Sequence, residues 1–134
     1  MSEEDNRTGV SWNIAAAQSK HIFNLISRST TAYLDGNLGK WFQILTALRE
    51  MFNYTLNKDE RKSLSKLEKK AKYYKRYWVK YSKLISEGQE PPKEIIIKNN
   101  KFSYIVRKYS RKIMDLLYEL GYFPDKEDRT NLGF

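Results

Sequence analysis

Residues 64–85 read LSKLEKKAKYYKRYWVKYSKLI. Within this stretch Leu64, Leu67, Ala71, Tyr74, Trp78, Tyr81 and Ile85 recur at alternating steps of three and four. That spacing puts side chains on one stripe of an α-helix, where positions i, i+3, i+4 and i+7 share a face. A half-buried strand would alternate in twos instead. The repeat is an unbroken a/d seam over three heptads. Tyr74, Trp78 and Tyr81 are bulky for the seam of a two-stranded coiled coil, so the stripe is expected to pack within its own chain.

The signals on either side agree. Asn57 and Glu60 have the spacing of a capping box, which opens a helix over 58–86. Gly88 stands where a C′ residue belongs, and Pro91-Pro92 stop the chain. A C-terminal helix over 100–120 follows, with Phe102, Ile105, Val106, Tyr109, Ile113, Leu116, Leu117 and Leu120 on its apolar stripe. Gly121 and Pro124 end it. The run Glu94 to Lys98 fits either a short extended piece or an early turn of that helix.

Upstream, Ser11 is the expected cap of a helix over 12–34, with Ala15, Ile22, Phe23, Ile26, Tyr33 and Leu34 on one face. Its polar and β-branched segment, Ser27 to Thr31, is expected to loosen it. Asp35-Gly36-Asn37 has the chemistry of a turn. A helix over 38–54 comes next, with Leu38, Trp41, Phe42, Leu45, Leu48 and Phe52 at helical spacing. The short connection makes residues 12–54 an antiparallel αα-hairpin.

The expected fold class is therefore all-α: a single-domain helical bundle of about four helices over residues 11–121. It is flanked by an acidic arm, residues 1–10, and an acidic tail, residues 122–134, both expected to be disordered. Two local resemblances fall on the hairpin turn. Gly36-Asn37-Leu38-Gly39 resembles the G-x-x-G loop of KH domains, which implies a clamp on a nucleic-acid backbone. Ala32 to Asn37 resembles the mid-hairpin turn of a tetratricopeptide repeat. A KH domain needs a three-stranded sheet, and the repeat needs a small residue where Trp41 and Phe42 stand. A generic αα-hairpin accounts for both.

Charge is the most informative feature for function. The chain has a net charge of +9. Residues 1–57 are neutral, residues 58–112 carry a net +12, and residues 113–134 a net −3. The pairs Lys58–Lys62, Lys62–Lys66, Lys66–Lys70 and Arg76–Lys80 put like charges four apart on one helix, which repel. Tolerating them points to an anionic partner that neutralises the field, nucleic-acid phosphate being the commonest. The competing reading is a solvated, lysine-coated surface.

The candidate nucleic-acid-binding residues are Lys62, Lys66, Lys69, Lys70, Arg76 and Lys80 on the 58–86 helix, with Arg107, Lys108, Arg111 and Lys112 on the C-terminal one. Among the interleaved aromatics, Tyr73 and Tyr77 fall off the seam, which makes them the candidates for stacking on bases.

Other classes are excluded or thinly supported. With no Cys there can be no disulfide framework, thiolate zinc site, iron–sulfur cluster or cysteine nucleophile. The single His21 has no partner at a set spacing, and Asp115 with Glu119 reads as a surface pair. No P-loop, nucleophile elbow or dinucleotide fingerprint occurs. The 38–54 helix carries only Lys40 and Arg49 as basic residues, too few for a major-groove recognition helix. A non-enzyme with no cofactor, metal or small-molecule substrate is expected.

The acidic start and the lack of an apolar run point to no signal peptide and no membrane span, hence to the cytoplasm or a particle assembled there. The leading function is a nucleic-acid-binding accessory protein (DNA or RNA, or another polyanion) using sequence-independent phosphate contacts. The alternative is a helical assembly subunit, as in a virus particle, whose tail ending in Leu132-Gly133-Phe134 docks on other protein subunits. Attachment of the basic helix to an anionic membrane surface ranks last, since its apolar face is needed for the core.

Overall fold

The computed structural model describes residues 20–120. They form α1 over residues 20–34, α2 (Leu38–Phe52), a 3-10 turn (Asn53–Thr55), α3 (Lys58–Ser86) and α4 (Lys93–Glu119). The fold is an all-α bundle of four helices, with no strand among the described residues. The expected arms, the Ser11 cap and the Gly121–Pro124 stop lie outside the described residues.

Local chemistry sets the ends of the helices. Gly36 takes φ 72°, and Asn37 N–H and Gly36 N–H donate to the carbonyls of Ala32 and Tyr33, closing α1 in a Schellman turn. Gly88, at φ 71°, ends α3 in the same way, with Gln89 bonded to Leu84 and Gly88 to Ile85. Asn37 caps α2 by accepting from Lys40 N–H at 3.1 Å. The box at Asn57 is complete: its side chain accepts from Glu60 N–H at 2.8 Å, and Glu60 accepts from Asn57 N–H at 2.9 Å.

Gly39 has a different role. A Cβ there would come 2.5 Å from the Trp78 ring, so α2 approaches α3 as closely as it does because this residue has no side chain. The G-x-x-G spacing thus belongs to a turn glycine and a packing glycine of an αα-hairpin.

Several expectations need correction. The last helix begins at Lys93, not residue 100, and absorbs Glu94 to Lys98. Pro92 suits the position before it, since its missing N–H is not needed there, and Glu94 sits in the first turn, where the helix dipole favours an acid. The second helix stops at Phe52, and Asn53–Thr55 tighten into the 3-10 turn. Arg61 donates to the carbonyls of Asn53 and Tyr54 at 3.0 and 3.3 Å, which holds that turn.

The segment Ser27 to Thr31 stays helical. Ser29 and Thr30 hydroxyls donate to Ile26 O at 2.8 and 3.1 Å, and Thr31 donates to Ser27 O, so the polar side chains follow the helix rather than competing with it. Finally, α1 turns Ile22, Leu25, Ile26, Ser29 and Ala32 inward and leaves Phe23 and Leu34 exposed. Positions 23 and 34 lie roughly 100° off the 22–26–29–32 stripe, beyond its edge.

One core unites the four helices. Trp41, Phe42, Leu45, Leu48 and Phe52 of α2 meet Phe102, Val106, Tyr109, Ile113 and Leu117 of α4, all buried. Phe42 packs edge-on to both Phe102 and Tyr109. The seam of α3 joins this core from Leu64 to Trp78, whereas Tyr81 is half-buried and Ile85 exposed; Leu120 of the C-terminal stripe is also exposed.

Beyond Trp78 the α3–α4 hairpin runs on past the core for about 12 Å at 1.5 Å per residue. Val79, Ile85, Ile96 and Ile97 are exposed on that extension. No helix of the described residues is long and apolar enough to cross a membrane.

Candidate nucleic-acid interface

Among α2, α3 and α4, the most extensive packing is between α3 and α4. They run antiparallel: Lys112 donates to the Ser63 hydroxyl, Tyr109 to Glu68, and Lys98 to the Tyr77 hydroxyl at 3.1 Å. On α3, Lys62, Lys66, Lys69, Tyr73, Arg76 and Lys80 follow steps of three and four and so share one face, with Lys70 and Tyr77 one column nearer α4. The register sets Lys66 and Lys70 opposite Lys108, Arg111 and Lys112.

A trough results in two joined parts. One, of about 650 Å³, is lined by those five cations, with Leu67 and Leu116 as its apolar lining and Glu60, Asp115 and Glu119 also bordering it. The other, of about 540 Å³, shares Leu67, Lys70 and Lys108 with the first and adds Lys69, Lys101, Ile105, Tyr73, Tyr74 and Tyr104. A cationic end therefore passes directly into an aromatic end.

Beyond the aromatic end lies a cluster in which rings and cations alternate. Tyr73 meets Tyr74 edge-on at 5.0 Å, and Tyr77 stands 6.2 Å from both. The Arg76 guanidinium lies 4.3 Å over Tyr73 and 5.0 Å from the Tyr77 ring, and Lys98 lies 4.5 Å over Tyr77. Lys80 is 5.6 Å from the same ring. The bond from Lys98, helped by Tyr73 and by the charge of Arg76, holds the Tyr77 hydroxyl below the ordinary tyrosine range. That bond, with the 3.0 Å ion pair to Glu94, keeps Lys98 above the ordinary lysine range. Tyr77 is thus the hub that holds three cations together rather than an open ring.

Two acids of α3 have structural partners, and of these Glu60 also borders the trough. Glu60 closes the capping box. Glu68 turns inward and pairs with Arg49 of α2 at 2.7 Å, while also accepting from Tyr109. Arg49 donates as well to Ser65 Oγ at 3.0 Å and to the Arg61 carbonyl at 3.2 Å. Burial first, and then the bond to the Glu68 carboxylate, push the Tyr109 phenol well above the ordinary tyrosine range. With Glu68 inside, the cations of the outer face lose the one acid placed in their midst by sequence.

Sequence reasoning missed Lys98, Lys101 and Tyr104. Starting α4 at residue 100 removed Lys98 from view, but the stripe 94, 98, 101, 104, 108, 111, 115 runs at helical spacing and was a usable signal. Arg107 and Lys62 are exposed and line neither part of the trough. Arg61 serves the 3-10 turn. His21 is exposed on α1 beside Lys20, Phe23 and Asn24, away from the trough. Among the described residues, no group of three or more His, Cys, Asp or Glu is placed to hold a metal ion.

Compared with known proteins, the chain matches no protein-family model, no curated protein and no solved structure.

Proposed function

We propose that the protein is a non-enzymatic accessory protein that binds nucleic acid along the α3–α4 trough, through phosphate contacts that do not depend on sequence. The observation that carries this reading is the pairing of Lys66 and Lys70 with Lys108, Arg111 and Lys112 across one groove. Two like-charged helix faces brought together repel each other; Glu68 is engaged inside the bundle, and Glu60, Asp115 and Glu119 at the border offset the five cations only in part. A phosphate backbone lying in the trough offsets that repulsion and releases its own counterions.

A salt titration of binding to labelled single- and double-stranded DNA and RNA tests it. Binding at roughly micromolar or tighter affinity is expected, with log K falling linearly with log salt by a slope equivalent to several phosphates. Absence of binding at low salt overturns the reading.

The alternative, an assembly subunit, draws on Val79, Ile85, Ile96 and Ile97, exposed on the hairpin extension beyond the core. A defined oligomer by mass, together with no binding at low salt, favours it.

A further inference from the structure

We infer that the trough takes single-stranded nucleic acid in particular, with a base stacked on Tyr104 while the adjoining phosphates lie along Lys70, Lys108 and Arg111. This rests on the nucleic-acid reading above and narrows its substrate.

Most of the rings beside the trough are already engaged. Tyr73 has Arg76 over its face, and Tyr77 is surrounded by Arg76, Lys80 and Lys98. Tyr74 is half-buried, with Lys101 5.8 Å from its ring. Tyr104 is 66% exposed, and no described ring or cation covers it. A single exposed aromatic on a convex surface is ordinary. Tyr104, however, lines a concave site of about 540 Å³ across from Tyr73 and Tyr74. A flat, apolar-faced, uncharged group fits between these walls.

The aromatic end is continuous with the cationic end. Lys70 and Lys108 line both parts of the trough, so a ligand seated on Tyr104 has a line of positive charge beginning at its edge. Lys108 is one helical turn from Tyr104 on α4. The matching ligand is a planar ring joined to a chain of anions. A duplex keeps its base faces inside its own stack, and a polyphosphate or sulfated sugar has no planar face, so either would leave Tyr104 unused. A single strand supplies both groups, and stacking with a charged track is how sequence-tolerant single-strand binders work.

The test uses the full chain and fluorescence anisotropy at fixed salt. The probes are an oligothymidine and an oligouridine of about a dozen nucleotides, a length within ordinary single-strand site sizes, and an abasic strand of equal length and charge. The two base-bearing strands are expected to bind about 5- to 150-fold tighter than the abasic strand, the range of one stacked base. Tyr104→Ala removes that advantage, Tyr104→Phe keeps it, and both leave the salt slope unchanged. Tyr104 is exposed, so neither change disturbs the core.

Equal binding of abasic and base-bearing strands, or an unaltered preference in Tyr104→Ala, overturns the single-strand inference and leaves phosphate binding standing. Failure of every strand to bind at low salt overturns both. The DNA and RNA arms show which sugar the trough accepts.

Discussion

Arg49 of α2 and Glu68 of α3 meet at 2.7 Å inside the bundle, with side chains only 11% and 14% exposed. Tyr109 of α4 donates to the same carboxylate, so one buried acid ties three helices together. Such a pair contributes little net stability over apolar residues of equal volume, because both charges lose water on burial. Breaking it is a different matter. Glu68→Ala strands Arg49 and is expected to cost about 3 kcal/mol, toward the lower end for a buried pair since both groups keep some exposure. The double change Arg49→Met with Glu68→Met should cost much less. Urea denaturation of the single and double variants checks both values.

Tyr109 carries a pH dependence of its own. Its phenol is raised well above the ordinary tyrosine range in the folded chain, first by burial and then by Glu68. The unfolded chain releases that proton near pH ~10, so below this the stabilisation is fully present. As pH climbs further, the unfolded state loses a proton that the folded state retains, and stability falls. Urea midpoints taken from about pH 8 to about pH 11 should drop more steeply for the native chain than for Tyr109→Phe. Parallel curves would show that Tyr109 does not titrate this way.

Gly39 and Trp78 form a testable contact. Helix propensity alone favours Gly39→Ala by up to about 1 kcal/mol. The added Cβ would lie 2.5 Å from the ring of Trp78, however, and overpacking of this kind costs about 1–3 kcal/mol. Net destabilisation is expected, with a shift in tryptophan emission. In a Trp78→Leu background the same change should become neutral or stabilising. A double-mutant cycle by thermal denaturation measures the coupling.

The trough separates cations that matter for binding from those that do not. Lys70→Glu with Lys108→Glu places acids in both parts of it and should abolish binding at moderate salt. Lys72→Glu with Lys75→Glu makes the same change in net charge on α3 outside the trough. That pair is expected to weaken binding only modestly, through the long-range field. Single Lys→Ala changes within the trough should each reduce the salt slope by about one. Equal losses from the two double variants would mean that net charge, not the groove, does the binding.

Loss of a cap gives a local test. Asn57→Ala removes the acceptor for Glu60 N–H, and about 1 kcal/mol of stability should go with it, read as a lower thermal midpoint. Asn57 itself lines neither part of the trough, so binding of a labelled strand well below that midpoint should be unchanged.

Much of this molecule is local and could be read from its residues in order. The heptad from Leu64 to Trp78, the Asn57–Glu60 box, Gly36, Gly88 and the stop at Pro91-Pro92 each act within a few residues along the chain. Helical period and cap chemistry are properties of a segment, so they survive being read without the rest. The start of α4 was missed because Glu94 to Lys98 is too short for its period to tell helix from strand. Only its continuity with the following turns, and the proline before it, made it helical.

What tertiary structure alone decided is which charges share a surface. Nothing in the order of residues says that Lys66 and Lys70 face Lys108 and Arg111, that Tyr104 stands across from Tyr73, or that Glu68 points inward to Arg49. Those relations follow from the register of α3 against α4, seen in Ser63 beside Lys112 and Tyr77 beside Lys98. Register is set by the interdigitation of side chains far apart in the chain, here closing around Trp78, Phe102 and Tyr109, and a periodic pattern fits several registers equally well. The sequence by itself determined four helices and a basic half; packing turned that half into a groove by setting the cations of α3 against those of α4 and drawing Glu68 into the bundle.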